Sequence, residues 1–249
     1  ANISATNVIL NYSATAETIT ASDAGGGQTL IDSDVAGESL TFNNPTSTLT
    51  INAGDTGVNT IDIGGLATSY PASILINGGD GGDTVNLNGT LTFAVDRSLT
   101  VDAETINAPN AISDITTSGT GSVSLTADRN MLLSSGSSLS TVNGGVTLDA
   151  NAGGATTGTF TAVDIVGATV STSGTGIIAI TGEGGTTGSS VGVNLRDSSQ
   201  VLSSETSGGG GINIDGTGGG DAAGGHGVVV AATSLIDSRS GAIQVTGEG

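Results

Sequence analysis

The sequence contains no cysteine, no tryptophan and no lysine, a single methionine and a single histidine, His226. Each shortage closes off a class of explanation. Without cysteine no disulfide can staple the chain, a usage that suits exported bacterial proteins without fixing a compartment. With 3 Phe and 2 Tyr in 249 residues, the core cannot be built from aromatic rings. It has to come from Ile, Val, Leu and Ala. Four cationic side chains, Arg97, Arg129, Arg196 and Arg239, stand against 23 carboxylates, for a net charge of −19. Neutralising phosphates takes Lys and Arg, so nucleic acid is disfavoured as a partner. Anionic membrane surfaces repel such a chain for the same reason. No apolar run approaches the ~20 residues of a membrane span, so membrane insertion is not expected. The opening "ANISATNVIL" has neither a basic n-region nor a long apolar h-region, so any signal peptide is expected outside this sequence.

Glycine, serine and threonine fill the space. There are 43 Gly, and Ser plus Thr make up roughly a quarter of the residues, well above ordinary usage. Yet the mean hydropathy is slightly positive at +0.18, unlike the polar composition of disordered chains. The apolar residues come in short alternating pairs: Val123/Leu125, Val146/Leu148, Ile178/Ile180, Ile212/Ile214 and Ile243/Val245. Each pair has a Gly one or two residues before it and leads into polar residues. Two apolar residues at period 2 make a short strand with one buried face. Helical templates fail, because Gly interrupts every candidate.

The pairs return every 23 to 34 residues. A second series, Leu139, Val170, Val201 and Leu235, runs in step with them. A third, Val193 to Leu195 and Val228 to Val230, lies between the two. In the first half Leu49/Ile51, Ile74/Ile76 and Leu99/Val101 recur at 25 residues. Three short strands per repeat, at coils of 23–35 residues, predict an all-β fold: a right-handed parallel β-helix, or β-solenoid. Stacking such coils buries side chains that one coil cannot bury alone. An antiparallel sandwich would call for tight hairpin turns and a denser aromatic core. Nine or so coils would make a rod of roughly 45 Å. The whole of 1–249 reads as a single β-helical domain, with 1–36 as a cap or irregular first coils. Its end, "VTGEG", falls in mid-repeat, which reads as a fragment of a longer protein. The alternation also makes Ile180→Asp costly and the exposed Thr181→Asp cheap.

"GSVSLTADRNMLLSSGSSLSTVNGGVTLDANAGG", residues 121–154, resembles filamentous-haemagglutinin-type bacterial surface adhesins. The likeness extends loosely over residues 40 to 249 and rests on pattern. It implies a right-handed β-helical shaft in a large, secreted or cell-surface bacterial protein. The segment would be structural or adhesive and not an enzyme. Its partners would be a host or neighbouring-cell surface, glycans included, and the rest of the parent protein. No amino-terminal secretion module of that family is recognisable.

A second resemblance is local. Gly78 to Asn86 reads GGDGGDTVN, which is similar to the calcium-binding nonapeptide G-G-x-G-x-D-x-U-x of repeats-in-toxin proteins. "INAGDTGVNTIDIGG" (51–65) aligns with "INGGDGGDTVNLNG" (76–89) if Thr56 is an insertion. Asn52 then matches Asn77, Asp55 matches Asp80, Asn59 matches Asp83, and Ile61/Ile63 match Val85/Leu87. Stacked one coil apart, Asp80, Asp83, Asp55 and Asn59 would offer hard oxygen ligands of the kind calcium takes. A metal-free turn is the other reading of the same residues.

Other patterns point to less. "GSSVG", 188–192, fits G-x-S-x-G around Ser190, but no helix follows as a nucleophile elbow requires. In a chain this rich in Gly and Ser a chance match is expected. Glycoside hydrolysis needs two carboxylates flanking a sugar groove. A polysaccharide-active enzyme using an acidic groove on the same fold is the alternative function. Ice binding needs Thr at one position in successive coils, and "TLT", "TFT" and "TVST" do not recur at a constant spacing.

Overall fold

A strand with two inward apolar residues is stable only if something covers those residues and its two backbone edges. The computed structural model, which describes residues 3–12, 16–35, 39–54, 57–220, 224–231 and 233–249, answers both needs with parallel pairing. Among the described residues it contains 23 strands and no helix. Nearly all pairings are parallel, between strands one repeat apart in sequence. The exceptions are the antiparallel strands Gln28–Ser33 and Ser39–Asn43, which fold back on Thr18–Gly25.

The pairings form three ladders. The first runs Asn7–Asn11, Thr48–Asn52, Ser73–Asn77, the start of Leu99–Ala108, the start of Val123–Leu133, Val146–Ala150, Ile178–Glu183, Ile212–Thr217 and Ile243–Glu248. The second runs Thr18–Gly25, Thr60–Ile63, Thr84–Leu87, the ends of Leu99–Ala108 and Val123–Leu133, then Thr161–Val166, Val191–Arg196 and His226–Val230. Because Leu99–Ala108 and Val123–Leu133 pass through both, these two ladders, together with the antiparallel strands Gln28–Ser33 and Ser39–Asn43, form one 17-stranded sheet. The third, a separate 6-stranded sheet, runs Leu91–Val95, Asp114–Ser118, Ser138–Thr141, Thr169–Thr172, Gln200–Ser203 and Leu235–Ser238. From Ser73 onward the chain visits the ladders in the same order on every circuit.

Register puts like side chains over like. Ile74, Leu99, Val123, Val146, Ile178 and Ile212 form one inward column, with no member more than 2% exposed. Ile76, Val101, Leu125, Leu148, Ile180 and Ile214 form the next. Ile19, Ile61, Val85, Ile106, Met131, Val163 and Val193 line the second ladder, and Leu91, Ile115, Leu139, Val170 and Val201 the third. At ~25 cal/mol per Å² these columns carry most of the favourable energy.

Two expectations are corrected at the last rungs. Ile243 and Val245 continue the inward columns but are each 46% exposed, because Ile243–Glu248 is the outer rung of its ladder. In the third ladder Ile236, not Leu235, stands over Val201; Leu235 pairs with Gln200 and is 47% exposed. A one-residue slip exchanges the two faces of a strand, and "SLID" offers apolar residues of both phases.

The corners are held by side chains. Thr117 Oγ1, Thr141 Oγ1 and Ser203 Oγ point inward and donate to Gly121 O, Gly144 O and Gly210 O at 2.6 to 2.7 Å. Each bond satisfies the carbonyl that leads back into the first ladder. Gly210 has to be glycine, since a Cβ there would lie 1.7 Å from Gly176 O. At the amino-terminal side, the two antiparallel strands bury Ile31 and Phe42 over the start of the second ladder. Tyr70 packs beneath them with its hydroxyl 3.1 Å from Thr29 Oγ1, and burial raises its pKa to about 12. The antiparallel departure from the coils therefore runs to Asn43, while Asn7–Asn11 and Thr18–Gly25 already pair in parallel with the rungs that follow.

Candidate functional site

The turn 78–83 connects the first ladder to the second. The register aligns Asn52 with Asn77, Ile61 with Val85 and Ile63 with Leu87, as the repeat alignment requires. Asn59 and Asp83 each precede paired threonines, Thr60 and Thr84, and so sit one above the other. They touch: Asn59 N donates to Asp83 Oδ1 at 2.5 Å. Glu17, one rung further, extends the column, with Glu17 N donating to Asn59 Oδ1 at 3.1 Å. All three are buried, Asn59 and Asp83 completely. Polar residues before Thr-U-x-U thus form an interior column that the apolar pattern alone does not reveal. Glu17 lies outside the aligned segments, and sequence reasoning missed it.

Asp83 Oδ1 is satisfied, but Asp83 Oδ2 is buried without a hydrogen-bond partner, and so is Glu17 Oε1. Burial pushes the Asp83 carboxyl above the usual carboxylate range, against the hydrogen bonds from Asn59. Asp83 Oδ2 lies beneath Gly81. A Cβ on Gly81 would stand 3.0 Å from it and only 1.8 Å from Gly57 O. A carbonyl and a carboxylate oxygen therefore converge there, and only glycine leaves room. Asp80, by contrast, is exposed at the tip of the turn. Asp55 lies outside the described residues. No group of three or more His, Asp or Glu side chains gathers at a metal-sized point among the described residues.

The outer faces carry polar columns of their own. On the first ladder the register stacks Asn52, Asn77, Asp102, Thr126, Asp149, Thr181, Asp215 and Thr246. The amides bond rung to rung: Asn77 Nδ2 to Asn52 Oδ1 at 2.6 Å and Asn52 Nδ2 to Asn11 Oδ1 at 2.7 Å. From Asp102 onward, Asp and Thr alternate. Burial raises the pKa of Asp102 and of Asp149, and for Asp102 the neighbouring Asp128 adds to the effect.

On the second ladder Thr18, Thr60, Thr84 and Thr105 occupy one position in four successive rungs. This corrects the reading that Thr does not recur at one position. Uneven coil lengths hide the column in the sequence. Beside it Asn86 Nδ2 donates to Asp62 Oδ1 at 2.8 Å and Asn107 Nδ2 to Asn86 Oδ1 at 3.0 Å, so these amides are engaged with each other.

Two grooves cross the later rungs. One, of about 470 Å³, lies among the glycine-rich loops and is lined by Glu183, Thr186 and Thr217 with Gly153, Gly154 and Gly218–Gly220. The other, of about 270 Å³, runs along Thr181, Asn213, Asp215 and Gln244. Each holds one carboxylate and no aromatic ring, where glycoside hydrolysis takes a pair. Ser190 and His226 come close through the backbone, His226 N donating to Ser190 O at 3.3 Å. Their side chains do not combine. Ser190 is buried and its Oγ donates to Thr187 O at 2.9 Å, while His226 is exposed.

No protein-family model, no curated protein and no solved structure matches the chain. What the coordinates define is an all-β protein built on parallel ladders with an interior polar column at one corner.

Proposed function

We propose that the chain is a right-handed parallel β-helical segment of the shaft of a large exported bacterial surface protein, structural or adhesive and without catalysis of its own. The observation that carries this reading is the constant visiting order of three in-register parallel ladders. A chain that returns to each ladder in turn winds, and parallel crossovers wind right-handed in nearly all known cases. The nine rungs of the first ladder, spaced by about 4.8 Å, give a rod of roughly 40 Å. Such a rod is a spacer. The outer columns of Asn, Asp and Thr give it a hydrogen-bonding surface suited to glycans and to other cell-surface polymers. The resemblance of residues 121–154 to filamentous-haemagglutinin-type adhesins points the same way and suggests a secreted or cell-surface location. The net charge of −19 keeps so apolar a stack soluble.

The test sets this reading against a polysaccharide-active enzyme on the same fold. The chain is incubated with a panel of acidic and neutral polysaccharides, with and without calcium, and chain length is followed by viscosity and reducing ends. No depolymerisation is expected. Sustained cleavage of any member would overturn the non-catalytic reading.

A further inference from the structure

An ionised carboxylate that is wholly buried needs partners for both oxygens, or it gives up its charge. Asp83 is 0% exposed and has a partner for only one. No ion pair reaches it among the described residues: both that occur there belong to Arg196, while Arg97 donates to Pro71 O and Thr46 O and Arg129 lies over the Phe160 ring. Two species fit beside Asp83 Oδ2. A proton would let the acid donate to the nearby Gly57 carbonyl. A cation would draw both oxygens to itself.

The surroundings favour the cation. The oxygens that meet around Gly81 are a carboxylate and a main-chain carbonyl, the hard ligands that calcium takes six to eight at a time at 2.3–2.6 Å. Gly79 takes a left-handed φ of 91°, and the Gly-rich turn lets the backbone present further carbonyls. Asn59 N holds Asp83 Oδ1 and thereby fixes the carboxylate with its other oxygen free. Glu17 Oε1 is a second orphaned oxygen in the same column, on the far side of Asn59.

We propose that the turn over Asp83 is a site for a hard divalent cation of calcium size, held by Asp83 Oδ2, by Gly57 O and by main-chain carbonyls of the turn 78–82. The ion ties the turn 78–82 to Gly57 and so clasps neighbouring rungs at the corner of the first and second ladders. With one buried carboxylate the site is weak, at about 10⁻⁴ M, in the range of extracellular calcium modules. This inference is independent of whether the shaft is adhesive.

The test uses the full chain stripped by chelator. Calcium is titrated at pH 7.5 by calorimetry, and melting is followed by circular dichroism, for the wild type, Asp83→Asn and Asp215→Asn. The wild type is expected to give a saturable one-site isotherm and a melting temperature that rises by several degrees over millimolar calcium. Asp83→Asn should lose both responses, while Asp215→Asn, which removes an exposed carboxylate of the outer column, keeps them. A wild type indifferent to calcium would mean that Asp83 Oδ2 carries a proton, and would overturn the proposal. Equal responses in wild type and Asp83→Asn would mean diffuse attraction to the acidic surface, and would overturn it as well. Should Asp83→Asn fail to give a strand-rich spectrum, calcium-soaked wild-type crystals decide. An anomalous peak at bonding distance from Asp83 Oδ2 supports the site, and its absence there refutes it.

Discussion

Truncating Ile180 and Ile243 to alanine separates a stacked interior from a merely alternating strand. Ile180 is 1% exposed and lies in register between Leu148 and Ile214. Both neighbouring rungs are hydrogen-bonded, so the backbone cannot collapse into the space left behind. Removing three carbons forfeits about 2.4 kcal/mol at ~0.8 kcal/mol per methylene. The trapped cavity raises the total to about 4 kcal/mol, within the range measured for buried Ile→Ala changes. Ile243 has the same chemistry and the same column position, but it is 46% exposed and has a rung on one side only. Its truncation should cost about 1–1.5 kcal/mol, since half the transfer term is already absent and no closed cavity forms. Thr181→Ala, on the outward face, should stay within about 0.5 kcal/mol. Urea unfolding by far-UV circular dichroism gives the comparison, as there is no tryptophan to follow. Repeat arrays can unfold in sections, so amide exchange at Val146–Ala150, Ile178–Glu183 and Ile212–Thr217 should accompany it. Equal costs for Ile180→Ala and Ile243→Ala would refute the stacking argument. Equal costs for Ile180→Ala and Thr181→Ala would refute the strand phase.

Two further predictions concern charge. Thr181→Asp would place a carboxylate between Asp149 and Asp215, each about 4.8 Å away, and should cost about 2 kcal/mol at low salt. Urea midpoints at low and at 1 M salt check it, because screening at 1 M should restore most of the loss. Asp83→Asn should raise the stability of the calcium-free chain at neutral pH. Burial holds the folded pKa of Asp83 above its unfolded value, so the folded state binds the proton more tightly. The cost of the ionised group is then full above the folded pKa and vanishes as pH falls to the unfolded value of about 3.9. The gap between variant and wild type should close over that window in chemical denaturation. A gap that widens on acidification would mean that Asp83 is stabilised as an anion by something other than calcium.

The ladders were legible because one signal repeated. Val123/Leu125, Val146/Leu148, Ile178/Ile180 and Ile212/Ile214 are inward, each a pair at period 2 that recurs along the chain; only Ile178 has an apolar neighbour before it, Ile177, which is 52% exposed. The second ladder was visible where Ile61/Ile63 align with Val85/Leu87 and where Val193–Leu195 and Val228–Val230 stand clear of other strands. In Leu99–Ala108 and Val123–Leu133 a single strand serves two ladders across a bulge at Ala103/Thr105, and the change of phase there disguises it. Leu235 was misread because its neighbour Ile236 is also apolar, so composition could not choose the face. Ile243 and Val245 were in the right phase, but phase does not say whether a further rung covers them. At the polar corner the alignment of Asn59 with Asp83 came through the coil length. The orphaned oxygen did not, because it depends on the approach of Gly57 O to Gly81, a backbone distance that no residue pattern encodes.

The outer Asp column shows why the misjudged substitution, Thr181→Asp, matters to the architecture. Parallel in-register stacking places every residue beside its own counterpart, so any acidic position would become a row of like charges about 4.8 Å apart. Two carboxylates at that distance repel by about 1 kcal/mol in water and about 3.5 kcal/mol at an effective dielectric of 20. From Asp102 to Thr246 the column alternates Asp with Thr, which doubles the separation to about 9.6 Å, near the Debye length at 0.1 M salt. Nearer the amino-terminal end the same column uses Asn, whose amides bond along the stack where carboxylates would repel. On the second ladder Asp62 is followed by Asn86 and Asn107, and Asp164 by Asn194, each Asp accepting from the amide above it. A chain of net charge −19 can therefore stack its rungs because its carboxylates are spread by register as well as by sequence. The buried Asp83 breaks that rule. Its column neighbour Asn59 satisfies only one of its oxygens, and the other, buried without a partner, is the one on which the proposed cation site rests.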